Sequence, residues 1–340
     1  MGREGLWFNQ TVDEPIDVEN WKMDDEFSVY PEGARDKTLF NSPISLQYKF
    51  LIPNHRYLYK YCLYELSPLD KPPRHPDQFW TEIIAYRIGC LLDIPVPPAF
   101  VAFNERDKSC GALIEWFLDY PEQNEEERFV AGGDIMVNLI PSYERKKGQQ
   151  HNFASIELYL DFLTKKRNIE LAEWRLFWSD MLLFDALIGN TDRHQDNWGL
   201  LWQQNKNDKL KVRMAPVFDN GTSLGYEILE AKMDSFLITD CTQRYIRKGR
   251  HHIRYQLHDE QAAQHIDLLV LLAKRPEMLQ RMKDKLTAFD IARLKATINH
   301  YTGFNIRIPL TVKRAEFVYH LIRVELTNLI FKNTPKLTYL

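Results

Sequence analysis

The sequence predicts an α+β protein of two lobes, a small β-rich N-lobe over residues 25–118 and a larger, mainly α-helical C-lobe over residues 119–340. Three observations carry that reading. Up to Phe117 the apolar residues come in short runs broken by prolines, with a single helical period among them. From Ile156 onward they recur at spacings of three and four. Between the two lies a polar stretch, 121–151, with charge clusters at Glu125–Arg128 and Glu144–Lys147, which reads as a loop or surface insertion at the head of the C-lobe.

The elements follow in order. Leu46–Leu51 and Arg56–Tyr64 read as strands, the second rich in Tyr and Leu. Pro72, Pro73 and Pro76 break the chain, and Phe79, Ile83, Tyr86 and Cys90 then mark a helix over Phe79–Leu92, with Asp77 a candidate cap. Pro95, Pro97 and Pro98 force extended backbone, and Val101–Phe103 and Gly111–Phe117 are two further strands. In the C-lobe, Leu171–Ile188 is the clearest helix, closed by Gly189. Leu210–Met214 reads as the second arm of a hairpin with the apolar Leu200–Leu201 pair. Leu268–Leu279, Phe289–Asn299 and Ala315–Phe331 complete the helices, with Pro276 expected to end or kink the first of them.

Composition narrows the function classes. Lys plus Arg total 44 against 47 for Asp plus Glu, a formal charge of −3, so no global field favours nucleic acid or an anionic membrane. The most apolar stretch, Ile266–Ala273, contains Asp267 and is too short to span a bilayer, so no transmembrane segment is expected. The N-terminus lacks the apolar core of a secretory signal. The four cysteines, Cys62, Cys90, Cys110 and Cys241, match no zinc or redox spacing and read as free thiols. A cytoplasmic protein is expected, or an effector delivered to another cell by a route the sequence does not display. The basic run 244–254 reads as a solvated helix face, with nucleic acid, an acidic protein and a phosphorylated loop as its other possible partners.

The chemistry concentrates in Gly189–Gly199, GNTDRHQDNWG, and in Ala215–Gly221, APVFDNG. The first places Asp, Asn and His in a short irregular segment after an apolar helix. The second ends an apolar stretch on a carboxylate. Phosphoryl transfer needs a divalent cation on hard oxygen ligands and a carboxylate that orients the attacking hydroxyl. Asp192 supplies that carboxylate, and Asn197 and Asp219 the metal ligands. Lys60, inside YLYKYC, can hold phosphate oxygens, and Glu82 on the N-lobe helix can orient it. Gly33–Thr38 has one glycine, and it is neither a Walker A motif nor a three-glycine loop. A plain polar turn and a phosphate loop remain open for it by physics alone. Glu115–Phe117 ends a strand where an adenine would meet the lobe junction.

These motifs resemble those of HipA-like serine/threonine kinases, an outlying branch of the protein-kinase fold. The core Asp192-Arg193-His194 with Asn197 is shared with phosphatidylinositol 3- and 4-kinases. The resemblance runs from about Gly33 to Gly225 and implies a bilobal protein-kinase-like fold with ATP and Mg²⁺ as cofactors. It implies Asp192 as catalytic residue together with Lys60 and Asn197, and Asn197 and Asp219 as Mg²⁺ ligands. Gly33, Ala34, Lys37 and Thr38 match the family's phosphate loop, Gly-Ala-x-x-Lys-Thr. Lys60, Glu82, Glu115, Phe117, His194 and Asp219 would complete the cofactor's surroundings, His194 as a brace and not as the base. A protein substrate is implied, and a regulatory or antitoxin-like protein as partner. Some family members are regulated by autophosphorylation of a serine three residues before the loop glycine; here Tyr30 stands at that position, with Ser28 close by, and autophosphorylation is a further activity the resemblance implies. Only 32 residues precede Gly33, so the extra N-terminal subdomain of the full toxins is absent from this stretch. A lipid or small-molecule kinase, and a non-catalytic nucleotide-binding scaffold, are the competing readings.

Overall fold

The computed structural model describes residues 9–24, 37–62, 75–121, 126–204 and 209–332. It is a mixed α+β fold with a β-sheet lobe and a helical region. Six strands build the first sheet: β1 (Ile16–Asp17), β2 (Lys22–Met23), β3 (Lys37–Asn41), β4 (Arg56–Tyr61), β5 (Ala99–Asn104) and β6 (Ser109–Glu115). Their order is β1-β5-β6-β4-β3-β2, antiparallel except for the β1–β5 pair. Two of these strands precede residue 25, so the sheet begins earlier than the expected lobe boundary.

Alternation along β4 sorts its side chains between two faces. Tyr57 and Tyr59 are fully buried in an outer cluster with Ile16, Val18, Phe100 and Leu113. Leu58 and Lys60 point the other way, and Leu58 packs on the cluster that includes helix α1 (Phe79–Leu92). Leu46–Leu51, between Pro43 and Pro53, forms turns and no strand; Tyr48, Phe50 and Leu51 still bury under the outer face. Asp77 does not cap α1. It lies in a short 3₁₀ turn and accepts from Arg314 Nε at 2.9 Å.

The stretch 121–151 is more ordered than its polarity implied. It holds β7 (Glu127–Ala131) and α2 (Gly132–Leu139). A second sheet then runs β7-β9-β10-β8, with β8 (Ile169–Leu171), β9 (Gly199–Gln204) and β10 (Leu210–Met214). β9 and β10 form the expected hairpin, and β8 joins β10 in parallel. Leu171 therefore belongs to β8, and α4 starts at Trp174 and runs to Ile188. Gly189, at φ 66°, ends it in the left-handed cap that glycine adopts freely.

The other helices are α3 (Phe153–Thr164), α5 (Met233–Phe236), α6 (Thr239–Lys248), α7 (His265–Leu272), α8 (Pro276–Ala288), α9 (Ile291–Tyr301) and α10 (Val312–Thr327). Pro276 separates two helices by opening α8, where its missing N–H costs nothing. α10 ends at Thr327 and passes into a π turn over Asn328–Lys332. One apolar cluster runs from α1 through α4 to α7, α8, α9 and α10. The Trp80 indole donates to Ile308 O at 3.1 Å and Arg87 Nε to Tyr301 OH at 2.6 Å, so polar ties reinforce that shared core.

Candidate functional site

Lys60 sits in register with Lys37 on β3 and Ala112 on β6. Its Nζ donates to Glu82 Oε1 and to Asp219 Oδ1, both at 2.6 Å. Burial alone would push the ammonium pKa down, but the two carboxylates outweigh it and hold Lys60 charged, above its ordinary value. Glu82 lies in the first turn of α1, and its Oε2 accepts from Asn220 N at 3.0 Å. One carboxylate therefore grips both the sheet lysine and the backbone beside Asp219. Gln78 Nε2 and Thr81 Oγ1 donate to Gly221 O at 2.7 and 3.0 Å, tying the start of α1 to the same loop.

Asp219 follows the apolar Ala215–Phe218 and adopts φ 56°. That region costs a non-glycine residue on the order of 1 kcal/mol, less for Asp than for most side chains. Burial would raise its carboxyl pKa; Lys60, then Lys37 and Arg193, overcome this and hold it well below the usual carboxylate range. It is an anion aimed at a cluster of cations.

The loop after α4 is organised by Arg193, which is fully buried. Its Nε and Nη2 meet the two oxygens of Asp185 at 3.0 and 2.7 Å. Nη1 donates to Asn197 O at 3.1 Å and to Phe218 O, and Nη2 also reaches Asn220 Oδ1 at 2.7 Å. One guanidinium thus fixes α4, the Asp192 loop and the Asp219 loop relative to one another, using its planar fork of donors. Asp192 O accepts from His194 N at 2.8 Å and from Asn197 Nδ2 at 2.7 Å. The second bond sets the Asn197 amide, because a carbonyl can only accept; Oδ1 is left to meet a cation. Asp192 Oδ2 receives Thr222 Oγ1 at 3.4 Å. Burial, and then the Asp219 charge, push its pKa up, with His194, Thr222 and Arg193 opposing.

Sequence reasoning missed the supports of this loop. Asp185 lies on α4 amid Phe184 and Ala186, fully buried; burial would raise its pKa, but Arg193 and His251 hold it well below the carboxylate range. A charged residue on an apolar helix face was the available signal. His251 Nδ1 accepts from Ile253 N at 3.2 Å, so a neutral ring carries its proton on Nε2 and donates it to Asp185 Oδ2 at 3.0 Å. His265 Nε2 donates to Asn190 O at 2.7 Å, and burial lowers its pKa to about 4, which keeps that ring neutral. Both histidines come from far along the chain, and no local pattern announced them.

The remaining expected residues divide. Lys37 reaches the same surroundings: burial first, then Lys60, lowers its pKa, while Asp219 raises it. Thr38 is one residue on and faces the other way, its Oγ1 3.1 Å from Tyr61 OH, so its side chain is not part of the Lys60 wall. Gly33 and Ala34, with Tyr30 and Ser28, lie outside the described residues. The Glu115 carboxylate is buried under Tyr57 and Tyr120, whose hydroxyls donate to it at 3.4 and 3.1 Å, and its N–H is taken by Pro98 O at 2.8 Å. Phe117 stacks on Phe218 with ring centroids 5.3 Å apart, and its backbone N–H and C=O have no partner among the described residues. His194 accepts from Asp196 N at 3.1 Å and faces His252, ring centroids 5.9 Å apart; no hydrogen bond joins it to the Lys60 cluster among the described residues.

The fold has a counterpart among solved structures. The chain is similar to the crystal structure of the Helicobacter pylori proinflammatory kinase CtkA, with a TM-score of 0.64 at 17% identity, over 93% of this chain and 99% of that one. In sequence it is 34% identical over 167 residues to the serine/threonine-protein kinase CtkA of Helicobacter pylori strain J99. That match covers 48% of this chain and 47% of the relative, so it spans about half the length of the curated protein. A more distant likeness, TM-score 0.35 at 15% identity, is to the Shewanella oneidensis MR-1 HipA structure with HipB and operator DNA, over 89% of this chain and 66% of that one. No family model matches the chain.

Proposed function

We propose that the chain is a HipA-like serine/threonine protein kinase, which transfers the γ-phosphoryl group of ATP to a protein hydroxyl in the presence of Mg²⁺. The observation that carries this is the convergence of Lys60, Glu82 and Asp219 from a strand, a helix and a loop, against a second loop bearing Asp192 and Asn197. The relation to a serine/threonine kinase in sequence, and the fold shared with it, support the same reading.

The donor set suits Mg²⁺, a hard cation that takes oxygen ligands. Asp219 is held ionised, and Asn197 is oriented with Oδ1 unengaged by the Asp192 carbonyl. These two residues would hold the ion, which neutralises phosphate charge when bound. Lys60, oriented by Glu82, would bind phosphate oxygens, with Lys37 adding charge beside it. The Phe117 backbone, which has no partner among the described residues, would meet the adenine edge. Asp192 orients the acceptor hydroxyl and takes its proton as the new P–O bond forms and the bond from the γ-phosphorus to the bridging oxygen of ADP breaks. His194 braces the loop.

Incubation with ATP and Mg²⁺, read by mass spectrometry of the protein and of added peptides, tests the reading. Phosphate should appear with the intact chain and be absent in Asp192→Ala and Asp219→Ala. An intact chain that neither binds ATP nor transfers phosphate to itself, a peptide or a lipid would overturn it.

A further inference from the structure

The surface beside Asp192 has a sign of its own. Residues 241–258 include Arg244, Arg247, Lys248, Arg250 and Arg254 and no carboxylate, in a chain whose formal charge is −3. The fold lays the end of this run, residues 252–254, beside residues 148–152, which directly follow a second basic segment, Arg145–Lys147. Asn152 bridges Arg254 in parallel, Arg254 N donates to His151 O at 2.9 Å, and an added Cβ at Gly148 would stand 2.7 Å from His252 Cε1.

Both segments are fastened to the loop that carries Asp192. Gln195 Nε2 donates to Arg145 O at 2.9 Å, and the Arg145 guanidinium bonds Asp196. The rings of His252 and His194 are 5.9 Å apart, and Gln264, which bonds Arg247 O at 3.3 Å, precedes the His265 that holds Asn190. Arg145 is neutralised by Asp134 and Asp196, and Lys147 by Glu144. Lys146, Arg247 and Lys248 are exposed and make no ion pair among the described residues. Cations unmatched among the described residues, on segments fastened to one loop, attract an anionic ligand and steer its approach.

We propose that this face is the acceptor-docking surface, and that it selects polypeptides with Asp or Glu close to the phosphorylated hydroxyl. The proposal rests on the kinase reading and names its substrate class. A polypeptide fits better than a bilayer or a nucleic acid. The exposed aliphatics of this region, Leu237 and Ile238, lie at the opposite end of α6 from Arg247 and Lys248, and among the described residues Tyr255 is the single exposed aromatic beside the cations, too little apolar surface for a membrane wedge or a row of stacked bases. The Tyr245 ring packs edge-on against Phe236 and its hydroxyl donates to Glu227, which leaves no stacking platform on α6.

The test uses the full chain and labelled peptides in which one serine is flanked by aspartates, by glutamines or by lysines. Binding is read by anisotropy and transfer by steady-state kinetics, with phosphatidylserine vesicles and a single-stranded oligonucleotide as further probes. The aspartate peptide should bind about tenfold more tightly than the glutamine peptide at low salt and lose that advantage as salt rises. The triple variant Lys146→Glu, Arg247→Glu, Lys248→Glu should abolish the preference by raising KM, with kcat on the glutamine peptide unchanged. Single variants at the same three positions, each shifting binding part of the way, exclude a folding defect. Equal binding of the three peptides, an unaffected triple variant, or tighter triple-sensitive binding of vesicles or oligonucleotide would overturn the proposal. Binding does not require turnover. Loss of all phosphoryl transfer alongside a charge-dependent peptide preference would therefore sink the kinase reading and leave the docking surface standing.

Discussion

The carboxyl of Asp192 is held above its ordinary pKa by burial, and the Asp219 charge adds to the effect. Below the unfolded-state pKa, near ~4 for Asp, both states are protonated and the group's favourable contribution is complete. As pH rises through the elevated folded value the carboxylate forms against its surroundings, and that stability is lost. Asp192→Asn, which cannot ionise, should accordingly melt at a higher temperature than the wild type at neutral pH without Mg²⁺. The difference should close as pH falls below the usual Asp range. The same variant should lose phosphoryl transfer by a factor of about 10²–10⁴, the share usual for a positioned base. Wild-type turnover should decline on acidification through a pKa above that of free Asp. Calorimetry of the two proteins across pH, with matched pH–rate profiles, checks this; a variant that melts lower at neutral pH would show that Asp192 is not strained by its site. Asp185 and Asp219 have the opposite sign, since both are held down by cations.

At the scale of elements, the position of Lys60 depends on how closely β4 and β6 approach. Gly111 lies opposite Tyr61, and a Cβ there would stand 2.1 Å from the carbonyl oxygen of Lys60. Gly111→Ala must push the lysine strand away, costing about 1–3 kcal/mol of stability by overpacking. The displaced ammonium should raise the KM for ATP, by up to about a hundredfold if the strand moves by about an ångström. Gly89→Ala is the control, because its Cβ would meet Val96 Cγ2 at 2.5 Å, away from the lysine strand. It should lose stability with little change in KM, and equal KM effects from the two variants would refute a role specific to the Lys60 strand. The sequence made β4, α1, α4 and the β9–β10 hairpin legible, because each is a local pattern of alternation or helical spacing. It hid β7, a five-residue strand that opens on two charges, and α2, which is short and opens on two glycines, poor helix formers, inside an otherwise polar stretch. It also hid the β1–β5 and β8–β10 pairs, since parallel pairing joins distant segments and leaves no local mark. In the candidate site, Lys60, Glu82 and Asp219 are singled out by their order along the chain and by the family resemblance, and their side chains meet in one cluster, with Asp192 and Asn197 sharing a second loop. Arg193 could not be given its role, because its partners come from α4 and from the loop after β10.

For the molecule as a whole, the contacts of Asp219 and Asn220 with Lys60 and Glu82 join the sheet lobe to the helical region at the place where ATP and Mg²⁺ are proposed to bind. Ligand that binds only the folded chain stabilises it by mass action, by about 2.7 kcal/mol at a hundredfold excess over Kd. The melting temperature should therefore rise with Mg²⁺ and ATP together, and less with ATP and a chelator, because the proposed metal site contributes only in the first case. Asp219→Asn separates the two contributions. It removes the anion proposed to hold Mg²⁺ and leaves Lys60 with Glu82 as its partner, so ATP alone should still stabilise the variant. The additional rise on adding Mg²⁺ should vanish. Differential scanning fluorimetry of both proteins under the three conditions reads this directly. A Mg²⁺-dependent increment in Asp219→Asn as large as in the wild type would place the metal elsewhere and remove Asp219 from the ligand set.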